Sequence, residues 1–223
     1  MYENIIFIPY REREQHLKYF IENTVPLIQC NLPNTRVVVI EQNEGKLFNR
    51  GAILNVGFKE YENKSKYFIT HDVDTIPNLE IIKNTYNKED IDILCIKFTH
   101  IYSLGNIIKV KHDIIFNMNG FPNNIWGWGV EDRALHFRSY IKKINIQYNN
   151  NQSFKILQHK SNIEPYIDEK KKISDIWRKE YIDNLNDKEK EEMIMSSGLN
   201  NIEYKIIERK MIHDIVELIK VDI

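Results

Sequence analysis

Residues 66–77 read KYFITHDVDTIP. The stretch begins as a short, near-continuous apolar run of aromatic and β-branched residues, which suits a strand buried on both faces of a sheet. It ends on two carboxylates, Asp72 and Asp74, separated only by Val73, and Pro77 then turns the chain into a loop. Open α/β sheets bind ligands at the carboxyl ends of their strands, where these acids fall. Two half-buried carboxylates this close repel each other, so a cation should offset them. A divalent ion using carboxylate and diphosphate oxygens is one candidate, and a capped turn is the plain alternative.

Working outward, NIIFIP (4–9), TRVVVIEQ (35–42) and IDILCIKF (91–98) are runs of the same kind. Leu17, Phe20, Ile21, Val25 and Ile28 recur at helical spacing between the first two, ending around Pro26 and Pro33. Leu54, Phe58 and Tyr61 mark a second helix before residue 66. Strand–helix–strand alternation repeating about every thirty residues is the α/β signature. IIKVKHDIIF (107–116), INIQY (144–148) and FKILQH (154–159) read as further strands of a mixed sheet, and EDRALHFRSYI from Glu131 reads as a helix. Residues 168–195 read as one or two amphipathic helices with a solvated face, and the tail returns to strand composition. With no repeat and no Gly/Ser linker, residues 1–223 are expected to form a single domain, three α/β/α layers around a mixed central sheet.

Composition excludes several functions. The 223 residues carry a formal net charge of −1, which removes the electrostatic case for nucleic acid as a partner. Cys30 and Cys95 have no metal-like spacing and read as two buried thiols. The first residues lack a signal-peptide pattern, and no run approaches about 18 apolar residues. The chain as given therefore reads as soluble and cytoplasmic, with no membrane span. Its richness in Asn, Ile and Lys is compatible with a bacterial or viral origin.

Arg11 and Arg13 follow the first strand, in IPYRERE, and guanidinium groups there suit a phosphate or a base. GFPNNIWGWGVEDRALHF (120–137) sets Trp126 and Trp128 between Gly127 and Gly129, just before Glu131 and Asp132. Acids at a helix start are favoured by the helix dipole, which accounts for the pair but not for the Trp-Gly alternation. Glycines allow close approach to a ligand, and an indole offers a flat face to a sugar ring.

IPYREREQHLKYF, FNRGAILNVGF, HDVDTIP, NGFPNNIWGWGVED and SSGLNN, in this order, resemble the β-1,4-galactosyltransferase family. The resemblance covers residues 7–159 apart from about 98–112, and resumes at 196–223. It implies a GT-A-like, Rossmann-like fold and an inverting, metal-dependent transfer of a hexose from a UDP-sugar, most simply galactose from UDP-galactose. The acceptor would be a sugar hydroxyl of a glycan or glycoside. By the same resemblance, Pro9, Tyr10, Arg11, Arg13, Phe48 and Arg50 would line the uridine-diphosphate site. Asp72 and Val73 would lie at the donor sugar, with Lys97 a basic donor-site residue. Asp74 and His159 would hold Mn2+ or another divalent cation, and Trp128 would be the tryptophan of a mobile loop. Glu131 would orient the site and Asp132 would be the catalytic base.

The sequence departs from the pattern at defined places. Ile156 stands where the family usually has a methionine three residues before the metal histidine, Val130 replaces a glycine, and Arg133 and Ala134 replace acids that contact the acceptor. UDP-N-acetylgalactosamine or another UDP-hexose as donor, and a catalytically silent nucleotide-sugar-binding relative, stay open as alternatives.

Overall fold

The computed structural model describes residues 1–98, 102–127, 129–149, 153–158 and 185–223. Three parallel strands form its centre: β1 (Tyr2–Tyr10), β2 (Thr35–Gln42) and β3 (Ser65–His71). On one flank β10 (Val216–Asp222) runs parallel to β2, and β9 (Lys205–His213) runs antiparallel to β10. On the other flank β6 (Ile107–Lys111) is antiparallel to β3, β5 (Ile93–Lys97) is antiparallel to β6, and β7 (Ile146–Tyr148) is parallel to β5. The order β7-β5-β6-β3-β1-β2-β10-β9 makes one mixed sheet of eight strands. A two-stranded sheet pairs β4 (Thr75–Pro77) with β8 (Phe154–Ile156).

The continuous apolar runs are explained by the layers on either side. Ile6, Ile8, Val37, Val39, Tyr67 and Ile69 belong to one core cluster, with Phe20 of α1 (Glu14–Asn23) and Val25 and Ile28 of α2 (Val25–Asn31). Ile5, Phe7, Val38, Ile40 and Phe68 belong to the other, with Ile53, Leu54, Val56 and Phe58 of α3 (Arg50–Glu60). Successive strand side chains point to opposite faces, so a sheet covered on both sides needs apolar residues at every position. Helix α3 is buried from Gly51 through Phe58, so it shows no amphipathic pattern. A short helical turn, α4 (Leu79–Ile81), follows β4.

Four expectations change. Among the described residues of 154–159, only Phe154–Ile156 is a strand, and it pairs with β4 in the separate two-stranded sheet instead of joining the mixed one. The helical pattern over 17–28 is two helices broken at Thr24, with Pro26 in the first turn of α2, where its missing N–H removes no bond. Residues 107–116 are not one strand. β6 ends at Lys111, opposite Tyr67 of β3, and Ile115 is buried from helix α5 (His112–Asn117) instead. Cys95 is buried as expected, but Cys30 is exposed on α2. No helix among the described residues is long and apolar enough to cross a membrane.

Gly57 lies where α3 presses on the sheet. A Cβ there would stand 2.5 Å from Ile40 Cδ1 and 2.9 Å from Phe7 Cδ1. Phe7 is itself held among Phe58, Tyr61 and Phe68. Alanine improves helix propensity by about 1 kcal/mol, while overpacking costs about 1–3 kcal/mol. Gly57→Ala is therefore expected to lower stability by about 1–2 kcal/mol in urea unfolding; equal or greater stability would mean that the helix stands off the sheet.

Candidate active site

The carboxyl ends of β1 and β3 meet the start of α3 and of helix α6 (Glu131–Ile141). Beyond β3, Thr75 N donates to the Asp72 carbonyl at 3.1 Å, and Thr75 Oγ1 donates to Asp74 Oδ1 at 3.3 Å, folding Asp72–Asp74 into a tight turn. His71 supports that turn. Its Nδ1 lies 3.0 Å from the Asp72 carbonyl, which can only accept, so the ring proton sits on Nδ1. Burial pushes the imidazole down to about 4, which keeps it neutral. Val73 between the acids is buried in the core cluster under α1 and α2.

Arg50, the first residue of α3, joins the acids. Its Nε donates to Asp72 Oδ1 at 2.9 Å, its Nη1 to Asp132 Oδ1 at 3.1 Å, and its Nη2 to the Asn106 carbonyl at 3.4 Å. Asn49, just before α3, aims this helix start: its side chain accepts from Ala52 N at 2.9 Å and donates to the Asn123 carbonyl at 2.7 Å. Burial would make the guanidinium easier to deprotonate, but Asp72 and Asp132 more than offset it and hold the group charged. Even so, burial leaves Asp72 at about 6, with Arg50 pulling the other way. Asp132 is raised by burial and held down by the same arginine. Glu131, 5% exposed, is raised by burial and by the Asp132 charge, and its Oε2 has no hydrogen-bond partner among the described residues.

Two features shape the ground around Asp132. Leu104 N donates to the Asp132 carbonyl at 3.1 Å, and a Cβ on Gly105 would fall 1.9 Å from Asp132 Oδ2. Only glycine lets the 104–106 loop lie on the carboxylate. Val130, just before α6, takes φ 79°, in the left-handed region that a β-branched residue rarely occupies. That strain lies within two residues of Asp132.

Arg13 lies 3.4 Å from Asp74. Arg11 donates to the Lys46 carbonyl at 2.8 Å and stands over the Phe48 ring, 5.3 Å from its centre. Pro9 and Tyr10 end β1, both buried. Trp126 is 38% exposed with the Lys46 ammonium over its ring, and Gly127 N donates to the Phe48 carbonyl at 2.7 Å. Lys97, at the end of β5, lies over the Phe154 ring of β8. Trp128 and His159 lie outside the described residues, and those that are described contain no cluster of three or more metal-ligating side chains. The described approach to residue 159 runs beside the acid turn: Thr75 pairs with Ile156, Leu157 N donates to the Asp74 carbonyl at 2.8 Å, and the Gln158 carbonyl is 3.3 Å from His16 Nε2.

Sequence reasoning joined Arg50 to the donor alone, whereas the structure has it hold both Asp72 and Asp132. It missed Gly105, whose signal was only a glycine in a poorly matched stretch. The Tyr102 ring stands edge-on to His136, one helical turn beyond Asp132.

Comparison with known proteins bears on this arrangement. A family model described as the N-terminal region of glycosyl transferase group 7 matches residues 1–88, and one described as the N-terminal domain of galactosyltransferase matches 97–160. Human β-1,4-galactosyltransferase 4 is 35% identical over 151 residues, 63% of this chain and 43% of that protein. Bovine β-1,4-galactosyltransferase 1 is 30% identical over 213 residues, 91% of this chain and 50% of that protein. The chain thus spans about half the length of the curated relatives it matches. Among solved structures, the catalytic domain of Drosophila β-1,4-galactosyltransferase 7 with xylobiose superposes with a TM-score of 0.75 at 21% identity, covering 100% of this chain and 94% of that one. A mutant of that enzyme with manganese, UDP-Gal and xylobiose superposes with a TM-score of 0.74 at 20% identity, covering 100% and 94%. The fold is therefore of the GT-A type.

Replacing Arg50 tests the geometry without any substrate. Arg50→Met removes the charge that favours both carboxylates, so the Asp72 and Asp132 titration midpoints should rise by about 1–3 units. Carbon-13 NMR of labelled aspartate would read this, and unchanged midpoints would show that the arginine does not hold the acids.

Proposed function

Because the chain belongs to the β-1,4-galactosyltransferase family within glycosyl transferase group 7, we propose that it transfers a hexose, galactose from UDP-galactose, with inversion onto a sugar hydroxyl of a glycan or glycoside. The observation that carries this reading is the Arg50 bridge from Asp72 to Asp132. It brings Asp72, read as the donor contact, and Asp132, read as the base, onto one guanidinium, which supports a single displacement between them.

Asp132 acts as general base, taking the proton from the acceptor hydroxyl as that oxygen reaches the anomeric carbon. Such help is typically worth about 10²–10⁴-fold. Arg50 pulls Asp132 back toward the ionised form against the burial that raises it and binds one carboxylate oxygen, leaving the other to take the proton. Burial favours the neutral form of Glu131, which suits it to orient a substrate hydroxyl by hydrogen bonding. Arg11, Arg13, Phe48, Pro9 and Tyr10 form the ground on which uridine diphosphate rests, with the arginines opposite its charge. Lys97 adds a further cation on the donor side. The loop carrying Trp126 and Trp128 excludes water, which would otherwise hydrolyse the donor.

The residues present fit a divalent cation. Asp72 and Asp74 are hard oxygen donors, and positive charge beside them would offset the burial that lifts Asp72. Asp74 and His159 would hold it, and when bound it would supply Lewis-acid stabilisation of the departing UDP oxygens. Ile156, 53% exposed on β8, offers no ligand atom.

A panel of sugar nucleotides with Mn2+ and simple acceptors tests the reading. Transfer from UDP-galactose is expected; binding without turnover of any donor would make the chain a silent relative. Asp132→Asn should lower transfer by at least about 10²-fold with UDP affinity kept, and undiminished turnover would remove it as the base. Asp74→Ala should weaken Mn2+-dependent UDP binding about tenfold or more in calorimetry, whereas tight UDP binding in EDTA would contradict the metal site.

A further inference from the structure

SSGLNN (196–201) follows helix α7 (Asp187–Ser196), more than sixty residues beyond the acids, and the reading above gives it no task. The structure ties it to NGFPNN (119–124). Asn119 Nδ2 donates to the Ile194 carbonyl at 2.8 Å and to Asn200 Oδ1 at 2.9 Å, and its Oδ1 accepts from Asn200 N at 2.9 Å. Asn123 N donates to Ser197 Oγ at 2.8 Å and Asn123 Nδ2 to the Gly198 carbonyl at 2.8 Å. A Cβ on Gly198 would stand 2.0 Å from the Asn119 carbonyl oxygen, so the two backbones touch.

Arg138 of α6 reaches into this junction. It is 2% exposed, and its Nη1 donates to the Asn119 carbonyl at 2.9 Å and the Gly120 carbonyl at 2.8 Å. Its Nη2 donates to the Ser197 carbonyl at 2.6 Å. Every acceptor the guanidinium meets is a main-chain carbonyl, and burial lowers it to about 10 with no carboxylate to counter it. Burying a charge in this way is expensive, and an apolar residue of similar volume would hold a helix at least as stably. What the fork adds is direction: four fixed carbonyls, of Met118, Asn119, Gly120 and Ser197, on two segments set both the height and the rotation of α6.

The same helix carries Asp132 in its first turn, and Asp132 Oδ1 must land 3.1 Å from Arg50 Nη1. Arg50 is aimed from the same junction, through Asn49 to the Asn123 carbonyl. We propose that Arg138 is a positioning residue for Asp132, and that the Ser196–Asn201 segment acts on the reaction through it. This rests on the role proposed for Asp132. A displacement of 1 Å at a reacting group can lower a rate about 10²-fold, so the effect should fall on the proton-transfer step and spare donor binding.

Arg138→Lys keeps the charge but loses the fork, and Asn200→Ala removes one junction bond from an exposed position as a milder second variant. The expected result for Arg138→Lys is a kcat lowered about 10–100-fold with donor KM and UDP affinity within about twofold. Asn200→Ala should shift kcat in the same direction by less. A kcat unchanged in both, or a loss of kcat and UDP binding in equal proportion, would overturn the proposal. A substrate-free arm separates it from the assigned activity. Among the described residues, Arg50, Asp72, Glu131 and Cys95 are charged or titratable groups that interact with Asp132. In folded Arg138→Lys the Asp132 carboxyl should titrate above wild type as it draws away from Arg50, and an identical midpoint would overturn the proposal even were the wild type to transfer nothing.

Discussion

One guanidinium organises the site. Arg50 is the only residue among those described whose side chain bonds both Asp72, after β3, and Asp132, in the first turn of α6. Without it, Asp72, Glu131 and Asp132 would be three carboxylates crowded in a half-dry space, each raising the others. With it, two of them have a cation at hydrogen-bond distance that pulls them back toward the ionised form. The rest of the fold serves this bridge: α3 is buried along its inner length so that its first residue points one way, and Asn49 caps that end.

The bridge also gives chemical sense to differences among the acids. Burial and the neighbouring Asp132 charge lift Glu131 more than Arg50 draws it down, so it tends to the neutral, hydrogen-bonding form. Asp132 is raised by burial as well, but its bond to Arg50 pulls it back toward the charged form that a base requires. Environments that push neighbouring carboxyl groups apart are how one site holds an acid and a base together. His71, neutral beneath the turn, holds the Asp72 backbone without adding charge.

Much of this is legible in the sequence because it is local. Continuous apolar runs give the central strands, the pair of acids at a helix start gives α6 at Glu131, and the Asp-Val-Asp turn falls at a strand end. What is not legible is set through space. Nothing in residues 107–116 says that β6 stops at Lys111 and that Ile115 is buried from a helix instead. Gly105 is explained only by the carboxylate of Asp132 lying on it, and Arg138 only by carbonyls from two distant segments. The asparagines of NGFPNN and SSGLNN look like loop formers, and their mutual bonds make them a junction between the middle of the chain and its end.

The central claim is that Asp132, held by Arg50, activates the acceptor for a single displacement on the face opposite the departing UDP. The anomeric configuration of the product formed by the wild-type protein from an α-linked UDP-hexose tests this most directly, read from the proton NMR coupling of the new anomeric centre. A β-linked product is the expected result, since one displacement inverts the centre. An α-linked product would require a second displacement or a front-side path, and would contradict the role given to Asp132.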